Sequence, residues 1–268
     1  MQKIAIFGVP RSGTSWLGQI FNSHPYVAFR LQPLFSYTHK GRLNENSSAQ
    51  EIDDFFIEIL NSSDSFTLMQ DAYYHKSYPN FIKSAESTHI VFKETRYLNI
   101  MENMLSKCPQ ITIIGIVRDP RSVLASWVEA PKEFDAEWDI IKEWRWAPKK
   151  NAGKAEEFYG YEKWKQSARD FLRFAQDFPE QFRLVQYERL VNDPLTETHQ
   201  LFQFCGLDVE TQTTRFIMDS RKRHDDDAYS VFRSKAGGQR WKEVLPYEIT
   251  QTILADLDST SLADFLCN

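Results

Sequence analysis

A short β-branched run, then a glycine-bounded turn, then an amphipathic helix commits a chain to a strand–loop–helix unit. Residues 4–25, IAIFGVPRSGTSWLGQIFNSHP, have that form. Gly8 and Gly13 carry the separation of phosphate-binding loops of the type G-x-x-x-x-G-K-[ST]. The lysine of that pattern is absent: Thr14 and Ser15 follow Gly13, and the nearest cation, Arg11, lies inside the loop. The glycines permit a tight turn and a close approach of backbone amides to an anion. A helix starting near Gly13 then aims unsatisfied N–H groups and a positive dipole end at the same point. The Thr14 and Ser15 hydroxyls add donors, and Arg11 adds a guanidinium fork for an oxyanion.

Further strand-like runs at 89–94, 111–118 and 182–190 join the first, at 3–9. Helical periodicity follows each of the four, over 14–23, 97–107, 120–128 and 195–205. The run ITIIGIVR is apolar on both faces, as an interior strand covered by helices requires. Alternating strands and helices predict an α/β fold: a P-loop-like parallel β-sheet flanked by helices, with ligands outside the carboxyl ends of the strands. The chain is expected to form a single domain over residues 1–268. Two segments read as insertions. Residues 36–53 are polar and turn-rich, expected as a mobile loop. Residues 129–180 form a helical aromatic-rich insert with Trp138, Trp144, Trp146, Phe158, Tyr159, Tyr161 and Trp164. Those rings either wall a cleft or fill the core of a helical subdomain.

The net charge of −5 argues against a broad nucleic-acid grip, so an anion site here is a local cluster. Cys108, Cys205 and Cys267 are odd in number and widely spaced, which suits a reducing compartment better than a disulfide framework or a zinc site. The apolar run Ile4–Val9 is too short for a signal segment or a membrane span, and the chain opens directly on its first strand. A soluble, cytoplasmic protein is expected.

A second anion site is written in IVRDPRSVLASW, residues 116–127. Arg118 ends a strand, Pro120 opens a helix, and Ser126 lies two turns along it, so arginine and serine can meet one phosphate. An Asp119-capped helix with surface arginines is the plainer alternative. Asp119 also imitates the magnesium-binding aspartate of an ATP-dependent kinase, but the flanking Arg118 and Arg121 oppose a metal ion there.

Together these two segments resemble the sulfotransferases that use 3′-phosphoadenosine 5′-phosphosulfate (PAPS). In that family a P-R-S-G-T-S-W loop holds the 5′-phosphosulfate and an R-D-P-R-x-V-x-x-S segment holds the 3′-phosphate. The resemblance implies cofactor contacts from Pro10, Arg11, Ser12, Gly13, Thr14, Ser15 and Trp16, and from Arg118 and Ser126. QYERLVNDP, residues 186–194, is similar to the family's Y-E-x-L-x-x-D-P and brings in Tyr187. VFRSKAGGQRWKEVLPYE, residues 231–248, is similar to a basic loop over the nucleotide, with Arg233, Lys235 and Arg240 as its cations. Residues 11–35, RSGTSWLGQIFNSHPYVAFRLQPLF, and the W-K-E-V-L-P-Y-E tail look like the sugar 6-O-sulfotransferase branch. A hydroxyl-bearing acceptor of glycan or glycolipid type is thereby implied, with 3′,5′-ADP (PAP) as product and no metal. A small alcohol, phenol or amine is the alternative acceptor.

Sulfuryl transfer is an in-line displacement that depends on positioning and charge stabilisation. Arg11 supplies one cation, and Lys93, at the end of HIVFKE, resembles the family lysine that faces the transferring group. The acceptor must also lose a proton to a base. Many family members carry Glu-Pro after the first helix, but this chain has Gln32-Pro33, and an amide takes no proton. Glu94 is the first substitute, followed by Asp71, His75 and His39. A nucleotide-binding pseudoenzyme is the non-catalytic alternative.

Overall fold

The computed structural model describes residues 1–70, 78–232 and 239–267. Five strands form one sheet: β1 Gln2–Phe7, β2 Val27–Leu31, β3 His89–Glu94, β4 Ile111–Val117 and β5 Phe182–Gln186. Their order is β2-β3-β1-β4-β5 and every pairing is parallel. The longer helices are α1 Thr14–Asn22, α2 Ala49–Leu60, α3 Met101–Lys107, α4 Pro120–Val128, α5 Tyr161–Asp177, α6 Tyr187–Asn192, α7 Pro194–Phe204, α8 Thr211–Lys222 and α9 Tyr247–Leu257.

Strand side chains alternate between faces, and the core divides accordingly. Ile4 and Ile6 of β1, with Val91, Ile114 and Ile116, pack against Leu17, Ile20 and Phe21 of α1, Leu201 and Phe202 of α7, and Ile217 of α8. Ala5 and Phe7, with Ile90, Phe92 and Ile113, pack against α2, α3, α5 and α9 through Phe55, Met104, Phe171 and Ile253. Helices cover both faces, so the carboxyl edge of the sheet is where ligand access remains. Because β1 is central, the loop leaving it opens in the middle of that edge.

Four expectations are corrected. The edge strand β2, VAFRL, carries an arginine in an otherwise apolar run, which hides it in the sequence. Arg30 is buried and donates from Nε and Nη2 to the carbonyls of Ile59 (2.6 Å) and Leu60 (2.6 Å), closing the C-terminus of α2. Residues 36–53 are not all loop: Ser48 caps α2, its hydroxyl accepting the Glu51 N–H while the Glu51 carboxylate accepts the Ser48 N–H. The run 182–190 is strand only to Gln186, after which YERLVN turns helical. The helix expected over 97–107 begins as a single 3-10 turn, Leu98–Ile100, with α3 after it.

The aromatic insert contains two short helical turns, Ile140–Glu143 and Pro148–Asn151, followed by α5. Trp144, Phe158, Tyr161 and Trp164 are buried and belong to the core, while Trp146 is 64% exposed. Most of the insert is therefore a hydrophobic platform, and Tyr159 alone of its singled-out rings lines the cavity at the sheet edge, among the described residues.

Candidate active site

A cavity of about 870 Å³ opens over the carboxyl ends of β1, β3 and β4. Pro10, Arg11, Gly13, Thr14, Ser15 and Trp16 line it from the first loop, Lys93 from β3, and Arg118, Ser126 and Tyr187 from the second anion segment and α6. Arg240 lies at its rim, ion-paired to Glu129 at 2.5 Å with its side chain 71% exposed. Arg233 and Lys235, like Asp71 and His75, lie outside the described residues. Ser12 is fully buried and does not line the cavity; its Oγ has no hydrogen-bond partner.

The first loop is held in a conformation that its residues can barely adopt. Gly13 has φ +95°, and Arg11 has φ +73° although it is not glycine. A Cβ on Gly13 would lie 2.3 and 2.5 Å from carbons of the Tyr187 ring, so glycine is required both for the turn and for the ring that packs on it. No side chain caps α1 at Gly13, which leaves the first-turn amides open to a ligand. Gly18, further along α1, makes room for the Phe29 ring of β2: a Cβ there would lie 2.8 Å from the ring's Cζ.

Arg11 crosses the cavity. Its Nε donates to Ser126 Oγ (3.0 Å) and its Nη2 to the Ala228 carbonyl (2.6 Å), while Nη1 is 3.7 Å from the Glu133 carboxylate. Arg118 donates to the Arg11 carbonyl (3.1 Å), and its guanidinium carbon is 4.6 Å from the centre of the Tyr187 ring. Its Nε is buried without a partner, a donor that an anion would satisfy. The two anion segments, 107 positions apart, thus face one space through Arg11, Ser126 and Arg118.

Lys93 is buried, with Nζ 3.4 Å from Ser15 Oγ. Burial pulls its ammonium down to about 8; Glu94 and Glu133 oppose that shift and Arg11 reinforces it. Glu94, one residue on, points to the other face of the sheet, as strand alternation dictates. Its Oε1 accepts the Leu34 N–H (2.7 Å) and burial pushes the carboxyl up to about 8. Glu94 does not line the cavity, so the first substitute for the base is turned away from it by the same alternation that turns Lys93 into it. His39 does not line the cavity either; its ring is bonded between Glu58 (2.8 Å) and Ser62 (2.9 Å). Gln32 does line it, in a left-handed conformation (φ +39°), donating to Thr95 Oγ1 at 2.7 Å.

Asp119 resolves the kinase comparison. It is fully buried, accepts the Arg121 guanidinium (2.6 Å), the Arg121 N–H and the Cys267 N–H (2.9 Å), and has no face left for a metal ion. Arg121, stacked 4.0 Å over the Trp241 ring, belongs to this staple and not to the cavity lining. The Y-E-x-L-x-x-D-P segment has an equally local logic. Tyr187 packs on Gly13, Glu188 accepts the Asp119 N–H (3.0 Å), Leu190 is buried, and Asp193 caps α7 by accepting the Thr196 N–H.

Among the described residues, Tyr159 is the one ring of the insert that walls the cavity, as one of the two readings of that segment expects, but sequence reasoning missed its neighbours Glu133 and Tyr229. Glu133, Lys150, Tyr159 and Tyr229 all line the cavity, and no local pattern joins them because they come from separate segments, Lys150 from the helical turn Pro148–Asn151 and the others from outside the helices and strands. From the charge run 221–227, Arg221, His224 and Asp226 also border the cavity.

The model of the sulfotransferase family matches residues 3–211. Carbohydrate sulfotransferase 1 of Danio rerio is 23% identical, over 93% of this chain and 75% of its own length. Carbohydrate sulfotransferase 6 of Homo sapiens is also 23% identical, over 88% of this chain and 73% of its own length. Among solved structures, a mouse sulfotransferase complexed with PAP superposes with a TM-score of 0.58 over 98% of this chain and 87% of its own, at 12% identity. At that identity the likeness is one of fold.

Proposed function

Because this chain belongs to the sulfotransferase family, we propose that it transfers a sulfuryl group from PAPS to a hydroxyl of a sugar. The observation that carries this reading is the convergence of Arg11, Lys93, Arg118 and Ser126 on one cavity at the sheet edge. The cavity's own features fit the nucleotide: open first-turn amides at Gly13, a cradle that a Cβ would fill, and a buried Arg118 Nε without a partner. PAPS would supply an activated sulfuryl group attached to phosphate. The amides of Gly13–Trp16 and the Ser15 hydroxyl would hold its 5′ end, and Arg118 with Ser126 its 3′-phosphate. Arg11 and Lys93 would offset negative charge where the phosphate is released. Gln32, Tyr159 and Lys150 also border the cavity, and we assign them to the acceptor. The carbohydrate sulfotransferases among the relatives support a saccharide there.

Thermal unfolding tests the nucleotide half of this reading. PAP at about 100 times its dissociation constant stabilises a native state by roughly 2.7 kcal/mol and raises its midpoint by several degrees. A shift with magnesium-ATP and none with PAP would overturn the assignment. Transfer of labelled sulfate to hexosides with a free primary hydroxyl tests the acceptor half. The three cysteines are unpaired in the structure, which supports a reducing, cytoplasmic setting as part of the same proposal.

A further inference from the structure

If the chain transfers sulfate, a group in its cavity must take the acceptor proton, and the usual Glu-Pro position holds Gln32. Among the described residues three carboxylates line the cavity: Glu129, Glu133 and Asp226. Glu129 is held at 2.5 Å by Arg240, and the Asp226 side chain is fully solvent-exposed. Glu133 differs from both. Its side chain is 20% exposed, Oε1 stands 3.7 Å from Arg11 Nη1, and Oε2 is buried without a hydrogen-bond partner.

Its position is fixed from the non-reacting side. The Glu133 carbonyl accepts from Trp127 Nε1 (3.2 Å), and the next residue, Phe134, meets the Trp127 ring edge-on with centroids 5.1 Å apart. Tyr159 packs on the same indole at 5.4 Å and reaches the cavity beside Glu133. A carboxylate mounted on a buried aromatic cluster loses little entropy on reaction, as a general base should.

We propose that Glu133 is the general base of this enzyme, a role that rests on the sulfotransferase reading above. Glu133 takes the proton of the acceptor hydroxyl as that oxygen bonds to sulfur. The S–O bond to phosphate breaks, and its electron pair stays on the phosphate oxygen beside Arg11 and Lys93. Gln32, tied to Thr95, positions the acceptor and takes no proton. His224 also borders the cavity, but its side chain is 39% exposed and lies 3.4 Å from Asp226.

The test compares wild type, Glu133→Gln and His224→Asn, with PAPS and a hexoside bearing a free primary hydroxyl. Glu133→Gln is expected to lower kcat by about 10²- to 10⁴-fold and to remove the acidic limb of its pH profile. PAP should bind within threefold of wild type. A readout independent of turnover accompanies these. Glu133 helps keep Lys93 charged, alongside Glu94 and against Arg11. The pH at which PAP affinity begins to fall should therefore move down in Glu133→Gln. Turnover within tenfold of wild type with the acidic limb intact would overturn the assignment. Loss of PAP binding in parallel with turnover would overturn it too, as would an acidic limb abolished by His224→Asn instead. A wild-type protein that binds PAP but sulfates no hexoside would count against the acceptor reading, and the assignment of Glu133 would fall with it.

Discussion

Lys93 Nζ stands 3.4 Å from Ser15 Oγ, joining the end of β3 to the first turn of α1. Burial holds the ammonium down to about 8, so its charge is lost as pH rises through that value. A bound anion favours the charged form, and PAP affinity is therefore expected to fall as pH rises past about 8. Lys93→Met should flatten that dependence and lower turnover by about 10²- to 10³-fold. Titration calorimetry from one pH unit below to one above checks it; an unchanged slope in Lys93→Met would rule out the assignment.

The two arginines should separate in their effects. Arg118 has a buried, unpartnered Nε and braces the loop through the Arg11 carbonyl. Arg118→Ala is expected to weaken PAP by about 10- to 100-fold, the worth of a hydrogen bond to a charged group, while kcat at saturation changes little. Arg11→Ala should damage both affinity and kcat. Equal PAP affinity for wild type and Arg118→Ala would contradict the phosphate site.

Gly13 and Tyr187 form a steric couple. Gly13→Ala sets a Cβ 2.3 Å from the ring at a φ of +95° and should cost about 1–3 kcal/mol of stability. PAP affinity should drop with it. Tyr187→Ala removes the clash but not the backbone strain, so the double variant should be more stable than the sum of the two losses predicts. Strict additivity in thermal unfolding would mean that the ring moves aside at no cost.

Glu94 should act on stability and leave chemistry alone. Its folded-state pKa of about 8 lies above the ordinary 4.5, so the native state holds this proton more tightly than the unfolded chain does. The associated stability is fully present below about 4.5 and is lost as pH rises through about 8. Glu94→Gln keeps an acceptor for the Leu34 N–H without the buried charge. It should melt above wild type at pH values past 8, and turn over normally at neutral pH, where the Glu94 carboxyl is already largely protonated. A large loss of kcat in Glu94→Gln, measured beside Glu133→Gln, would return the base to Glu94.

The phosphate loop, the parallel sheet and the second arginine segment were legible because each is a local pattern. Gly8 and Gly13 fix a turn, and IVRDPRSVL fixes a strand end and a helix start. The place of Glu133 was not legible. Glu133 enters the cavity only because Trp127, Phe134 and Tyr159 stack into one cluster, a contact that no sequence period encodes. Strand β2 escaped because Arg30 breaks its apolar run for the sake of the α2 carbonyls. Lys93 and Glu94 were read as one catalytic pair, but adjacent residues on a strand face opposite ways.

The central place of β1 in the order β2-β3-β1-β4-β5 has a consequence for how such a protein can be changed. The Gly8–Gly13 loop issues from a strand paired on both sides, so its start is fixed by two neighbouring strands. The wall bearing Glu133, Lys150 and Tyr159 comes from the insert, outside the strand ladder. On the proposed reading, that division puts the donor contacts at the end of the central strand and the acceptor contacts on the insert. Lys150, which lines the cavity from the insert and lies outside both the sheet and the Glu133 segment, is then the position where acceptor preference can be changed with least disturbance.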